Sequence, residues 1–171
     1  MVTNNFRKIL FGGIFGSTSN SFNIPTFNAI SLVDKDGNSI NITNTAYGNT
    51  GFDQNSMLNA FNHIASSESS GVMTIKAGNG TTQPTSNDYT LESEIADIIC
   101  SNVSNGLTQS ITKTYTATFN NPTQHDINIT ELGLFLTNNS TKTFLLDRTV
   151  LSTPITIPAG QSKAITYEIG L

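Results

Sequence analysis

The residues that could do chemistry are few. Two histidines, His63 and His125, and one cysteine, Cys100, occur among 171 residues. A nucleophilic thiolate needs an imidazole beside it to take its proton, and Cys100 lies in Ile98-Ile99-Cys100, where a buried structural thiol is expected. One cysteine cannot form an intrachain disulfide. His63 has no second His or Cys at helical spacing, so it is not expected to bind a metal. The acidic loop Asp34-Lys35-Asp36-Gly37-Asn38 invites a calcium reading, but an EF-hand needs Gly at its sixth position and Glu at its twelfth. Counted from Asp34, Gly37 is fourth and Thr45 is twelfth, so the loop reads as a turn. Gly78-Asn79-Gly80 lacks the third Gly of a dinucleotide fingerprint and the Gly-Lys-Ser/Thr of a phosphate loop. Its glycines are expected to take left-handed turn angles. Glu92 and Glu94 would share one face of a strand, as a catalytic carboxylate pair could, but they are expected to be solvated charges. Glu131 and Arg148 differ from these, because each is a lone charge in an apolar strand pattern. If their strands pair, a structural ion pair Glu131–Arg148 results, with Asp147–Arg148 as the alternative bridge. No catalytic residue, cofactor or metal site is assigned, and the chain is not expected to be an enzyme.

Composition bounds the partners. Hydrophobic residues make up 36% and charged residues 12%, against about 45–50% and about 25% in ordinary domains. Asn, Thr and Ser fill the difference. A net charge of -4, ten Phe and four Tyr indicate a folded chain with a neutral polar surface rather than a disordered one. The eight Lys and Arg are scattered except for Arg7-Lys8 and cannot line a phosphate-tracking stripe, so nucleic acid is not an expected partner. No apolar run reaches the ~20 residues that span a bilayer, and no membrane is expected either. The longest apolar stretch, Ile9 to Phe15, belongs to an amphipathic N-terminal segment. Phe6, Ile9, Leu10 and Ile14 fall at helical spacing, with Thr3, Asn4 or Asn5 as the cap. Phe6, Leu10, Phe11, Ile14 and Phe15 are many apolar groups for a terminus, and termini are loose unless docked. They are expected to contact a neighbouring subunit. Residues 1–20 are then a docking segment and residues 21–171 a single domain.

The elements that must position Glu131 and Arg148 are strands. Residues 27–43 predict a hairpin around an Asp-Gly turn. Residues 53–66 predict the best helix, with Met57, Leu58, Phe61, Ile64 and Ala65 on one stripe. Ile111, Tyr115, Ala117 and Phe119 alternate with threonines, which predicts a half-buried strand. Ile127 and Ile129 take one parity, and Leu132, Leu134 and Leu136 take the other. A bulge or a change of sheet is expected at Thr130, Glu131 and Gly133. A third strand runs from Phe144 to Leu151, with Pro154 and Pro158-Ala159-Gly160 as punctuation. Ile165, Tyr167 and Ile169 then alternate to the end. The expected fold is all-β, an antiparallel, jelly-roll-like β-sandwich with a short helix near 53–66 and a short N-terminal helix.

Three segments carry a family resemblance. The first is Gly78-Asn79-Gly80-Thr81-Thr82-Gln83-Pro84 followed by Asp88-Tyr89-Thr90-Leu91-Glu92-Ser93-Glu94-Ile95. The second is Ile129-Thr130-Glu131-Leu132-Gly133-Leu134-Phe135. The third is Leu145-Leu146-Asp147-Arg148 with Pro154-Ile155-Thr156-Ile157-Pro158-Ala159-Gly160, closing on Ile165-Thr166-Tyr167-Glu168-Ile169. In this order they resemble small virion structural proteins of tailed bacteriophages. The resemblance covers residues 72–171 well and the first 70 poorly. It implies a particle component, most directly a tail, collar or appendage protein that assembles through symmetric contacts, with a head (capsid) decoration protein as the alternative. It implies copies of itself and other virion proteins as partners, and the virion as its location after synthesis in the host cytoplasm. A carbohydrate-binding β-sandwich module, with a host surface glycan as partner, is the remaining alternative. Such modules stack sugars on exposed aromatics. This chain has no Trp, and most of its Phe fall in core-like positions.

Overall fold

The computed structural model describes residues 1–8, 30–42, 73–107, 112–137 and 142–170. The helix expected over 53–66 lies outside these residues, as do Leu10, Phe11, Ile14 and Phe15. The fold is all-β with antiparallel pairing throughout, as the alternating pattern requires. Strands β1 (Ile30–Val33) and β2 (Ser39–Ile42) form the expected hairpin. Its turn is built by Asp34, whose Oδ1 accepts from the Asp36 and Asn38 amides at 3.0 and 2.8 Å. Gly37 supplies the left-handed residue, with φ of +82°.

Two three-stranded sheets follow. One has the order β3 (Met73–Gly78), β6 (Ile127–Thr137), β7 (Thr143–Ile157). The other has the order β4 (Ile99–Leu107), β5 (Thr112–Asn120), β8 (Ser162–Gly170). Both contribute to one buried cluster. Tyr115, Ala117 and Phe119 of β5 and Ile165, Tyr167 and Ile169 of β8 join Ile75 of β3, Leu134 of β6 and Phe144 and Leu146 of β7. Burying these side chains is the main driving force for the fold, at roughly 1.5–3 kcal/mol for each large one.

The parity change in β6 is a bulge, not a change of sheet. The β6–β7 register shifts between Ile129 and Glu131 while the strand runs on from Ile127 to Thr137. Pro154 was expected to end the third strand and does not. β7, 15 residues long, runs through it to Ile157. Between Val150, which pairs with Glu131, and Ile155, which pairs with Ile129, the two strands are out of register. Pro154 falls in that stretch, on an edge strand, where its missing N–H costs no ladder bond.

The N-terminal residues dock, but onto their own chain. Val2 bridges Asp147 of β7. The Thr3 amide donates to the Leu146 carbonyl at 2.9 Å, and its hydroxyl donates to the Leu145 carbonyl at 2.7 Å. Thr3 also caps a short helical turn at 4–8, accepting from the Phe6 amide at 3.4 Å. Phe6, expected at a subunit contact, is only 3% exposed and belongs to the central cluster. Its apolar ring is covered by the domain that carries it. Asn5 ties the turn to β1, donating to the Val33 carbonyl at 2.6 Å and accepting from its amide at 2.9 Å.

Candidate functional site

Pairing of β6 with β7 sets Gly133 opposite Arg148 and Glu131 opposite Val150, so Glu131 and Arg148 are diagonal neighbours on one face. The structure brings them together. Arg148 Nε donates to Glu131 Oε2 at 2.7 Å, with Glu131 fully buried and Arg148 3% exposed. Two further carboxylates complete the guanidinium. Nη1 donates to Asp88 Oδ2 at 3.0 Å and Nη2 to Glu92 Oε2 at 3.3 Å. Sequence reasoning did not find these partners. Asp88 and Glu92 lie in the irregular stretch between β3 and β4, where no periodicity announces a register.

That stretch is tied to the buried carboxylate by its backbone. Glu131 Oε1 accepts from the Gly80 and Ser93 amides at 3.2 and 2.8 Å, and Oε2 accepts from the Glu92 amide at 3.2 Å. Glu92 in turn takes the Thr81 and Thr82 amides at 2.8 and 2.7 Å and the Thr82 hydroxyl at 2.7 Å. Asp88 takes the Thr85 amide and hydroxyl at 3.0 and 2.7 Å. Leu91 adds an apolar anchor, packing with Phe135 and Leu145 in a second buried cluster on the same face.

The glycines here serve close approach rather than turn geometry. Among the described glycines only Gly37 and Gly160 have positive φ, so the left-handed angles expected at Gly78 and Gly80 are not adopted. A Cβ at Gly78 would fall 2.6 Å from Glu131 Cγ and 2.6 Å from the Ser93 carbonyl oxygen. One at Gly80 would fall 2.6 Å from Glu131 Oε1 and 2.6 Å from Glu92 Cβ. Gly133 leaves room for Leu91, whose Cδ2 would lie 2.8 Å from a Cβ there.

The electrostatics are those of a closed latch. Burial pushes the Asp88 carboxyl up, but hydrogen bonds from Thr85 and Arg148 outweigh it and hold it below the ordinary range. Hydrogen bonds from Thr82, then Thr81 and the charge of Arg148, hold Glu92 low against a smaller opposing effect of burial. Burial would lower Arg148, but its bonds to Glu131 and Asp88 raise it instead. All three acids therefore face donors and one fixed cation. Such an arrangement holds the loop of residues 79–95 against β6 and β7.

Asp147 is not a partner of Arg148 among the described residues. Adjacent residues of a strand point to opposite faces, and Asp147 turns inward to accept from the Tyr167 hydroxyl of the other sheet. It also lies 3.0 Å from the Met1 nitrogen. Burial, then the Asp147 charge, pushes the Tyr167 phenol well above its ordinary value. Glu94, expected to be solvated, pairs with Lys76 at 2.6 Å at the surface. Cys100 is half-buried against the core, and burial pushes its thiol up. His125 is exposed, and His63 lies outside the described residues. Among the described residues no group of three or more His, Cys, Asp and Glu converges to hold a metal ion, and no helix is long and apolar enough to cross a membrane.

Comparison of the chain with protein-family profiles, with curated proteins and with solved structures found no match.

Proposed function

We propose that this chain is a structural component of a bacteriophage particle, a tail, collar or appendage protein that assembles through symmetric contacts with its own copies and with other virion proteins. We read its two core-sharing sheets as a sandwich scaffold. The observation that carries the reading is where the resembling segments lie. Residues of the first and second segments and the Leu145–Arg148 part of the third meet around Arg148. The shared pattern is thus one three-dimensional unit, a strand pair with a latched loop. Each acid of the cluster is bonded to Arg148 and to loop or strand donors, which supports a scaffold.

Quantitative mass spectrometry on purified particles tests the proposal. A few to a few dozen copies per particle are expected for a tail, collar or appendage ring, and on the order of hundreds would move the protein to the head surface. Absence from particles, with the protein free in the medium, overturns the proposal.

A further inference from the structure

The latch described above has a second side. The loop of residues 79–95 forms, with Arg148, the lining of an open depression of about 370 Å³. We infer that this depression binds a neutral sugar ring of a surface glycan, with Tyr89 as the stacking platform.

Four observations carry the inference. Tyr89 is 41% exposed and, apart from Met1, is the one large hydrophobic residue among those described that stands out of the surface. Its ring tip lies near the Gly37 turn, where an added Cβ would come within 3.5 Å of Cε2, Cζ and the hydroxyl oxygen. An exposed aromatic can offer its face to the C–H edge of a sugar, which bears the positive side of the C–H dipoles. The polar groups around it suit hydroxyls. Gln83 and Thr90 make no side-chain hydrogen bond to another described residue, and Asn87 offers its amide nitrogen while its oxygen accepts from Asn4. Glu92 Oε1 accepts only from Thr82 Oγ1, which leaves it a lone pair for a sugar hydroxyl. The charge selects against acids. Asp88 and Glu92 line the depression as carboxylates, and Arg148, the one cation among the described lining residues, is paired with three acids. A sialylated or phosphorylated ligand would meet repulsion with no free cation to offset it. Finally, the loop is held rigid by buried charges. Binding groups fixed in advance lose less entropy on binding.

The site does not depend on the particle role, and it is tested on the isolated chain. Saturation-transfer NMR of the full chain with lactose, N-acetyllactosamine, maltose and 3′-sialyllactose at millimolar concentration reads it directly. Transfer to at least one neutral probe is expected, and weaker or none to 3′-sialyllactose. Tyr89→Ala should weaken that binding about tenfold, while Tyr89→Phe should keep it. Gln83→Ala, at an exposed position, should also weaken it and carries the test if Tyr89→Ala does not fold. No transfer to any neutral probe overturns the inference. So does binding that neither Tyr89→Ala nor Gln83→Ala weakens, or a preference for the sialylated probe. A negative result here with the protein present in purified particles removes the sugar site and leaves the virion role standing.

Discussion

The two sheets share one core but treat their outer faces differently. In the β4-β5-β8 sheet the strands alternate. Tyr115, Ala117 and Phe119 are buried, the threonines between them half-buried, and Thr166 and Glu168 of β8 exposed. In the β3-β6-β7 sheet the alternation vanishes. Every residue from Glu131 to Leu136 and from Thr143 to Arg148 is buried. Residues 79–95 cover that outer face and residues 1–6 line the edge of β7. A sheet with one wet face writes its fold in period two; a sheet covered on both faces does not. The covered face is also where the ion cluster sits. Charges buried there fix the position of the covering loop, since a displaced loop takes three amide donors from Glu131 and the Asp88 and Glu92 carboxylates from Arg148.

Substitutions can break or sharpen this contrast. The largest effect belongs to Arg148→Leu. It leaves Glu131 buried without its cation and should cost about 3–5 kcal/mol by denaturant unfolding. Amide exchange at Gly80, Glu92 and Ser93 should lose protection first, while β5 and β8 stay protected. Glu131→Gln combined with Arg148→Leu should recover part of the loss, because the buried side chain keeps an acceptor for the loop amides and no longer carries an unpaired charge. Equal loss of protection in both sheets would mean that the two faces are not separate units. Next is Gly78→Ala, whose new methyl meets Glu131 and the Ser93 backbone, at about 3 kcal/mol. Gly160→Ala, with φ of +67° and open space around it, should cost only the left-handed strain of about 1–2 kcal/mol. Tyr167→Phe removes the donor to Asp147 in the shared core and should cost about 1.5 kcal/mol.

The smallest effects are those of pH, and they divide by region. Asp88 and Glu92 have their folded pKa held below 3.8 and 4.5. Their contribution is complete above those values and is lost as pH falls through the lower folded ones. Tyr115 and Tyr167 are raised above 10.0, chiefly by burial. Their contribution is complete below pH 10.0 and is lost as pH rises. Thermal unfolding should therefore be flat between about pH 5 and 9, with an acid arm and an alkaline arm. Arg148→Leu should make the acid arm shallower and leave the alkaline one, and Tyr167→Phe should do the reverse.

Legibility in the sequence follows the same division. Strands β5 and β8 could be read from their alternation, and the β1–β2 hairpin from Asp-Gly. The bulge in β6 could be read from the parity change after Ile129. Glu131 and Arg148 stood out because a lone charge in an apolar run needs a partner. Asp88 and Glu92 did not, because their role depends on a loop whose path is set by contacts 56 and 60 residues away. Gly78 and Gly80 were misread as turn glycines for the same reason. A glycine that makes space for a distant side chain looks, locally, like one that makes a turn. Pro154 was misread because a proline ends a paired strand but not an edge strand at a register shift.

The long separations inside the latch also order events in time. Gly80 waits 51 residues for Glu131, Asp88 waits 60 for Arg148, and Thr3 waits 142 for the Leu145 carbonyl. During synthesis the loop and the N-terminal residues are made early, but Asp88, Glu92 and Thr3 meet their last partners only when β7 arrives. Contacts of such high sequence separation form late and slowly, because loop closure must come first. A growing chain stopped before Leu145 has β3, β6 and the covering loop, but no Arg148 to hold Asp88 and Glu92 over the outer face.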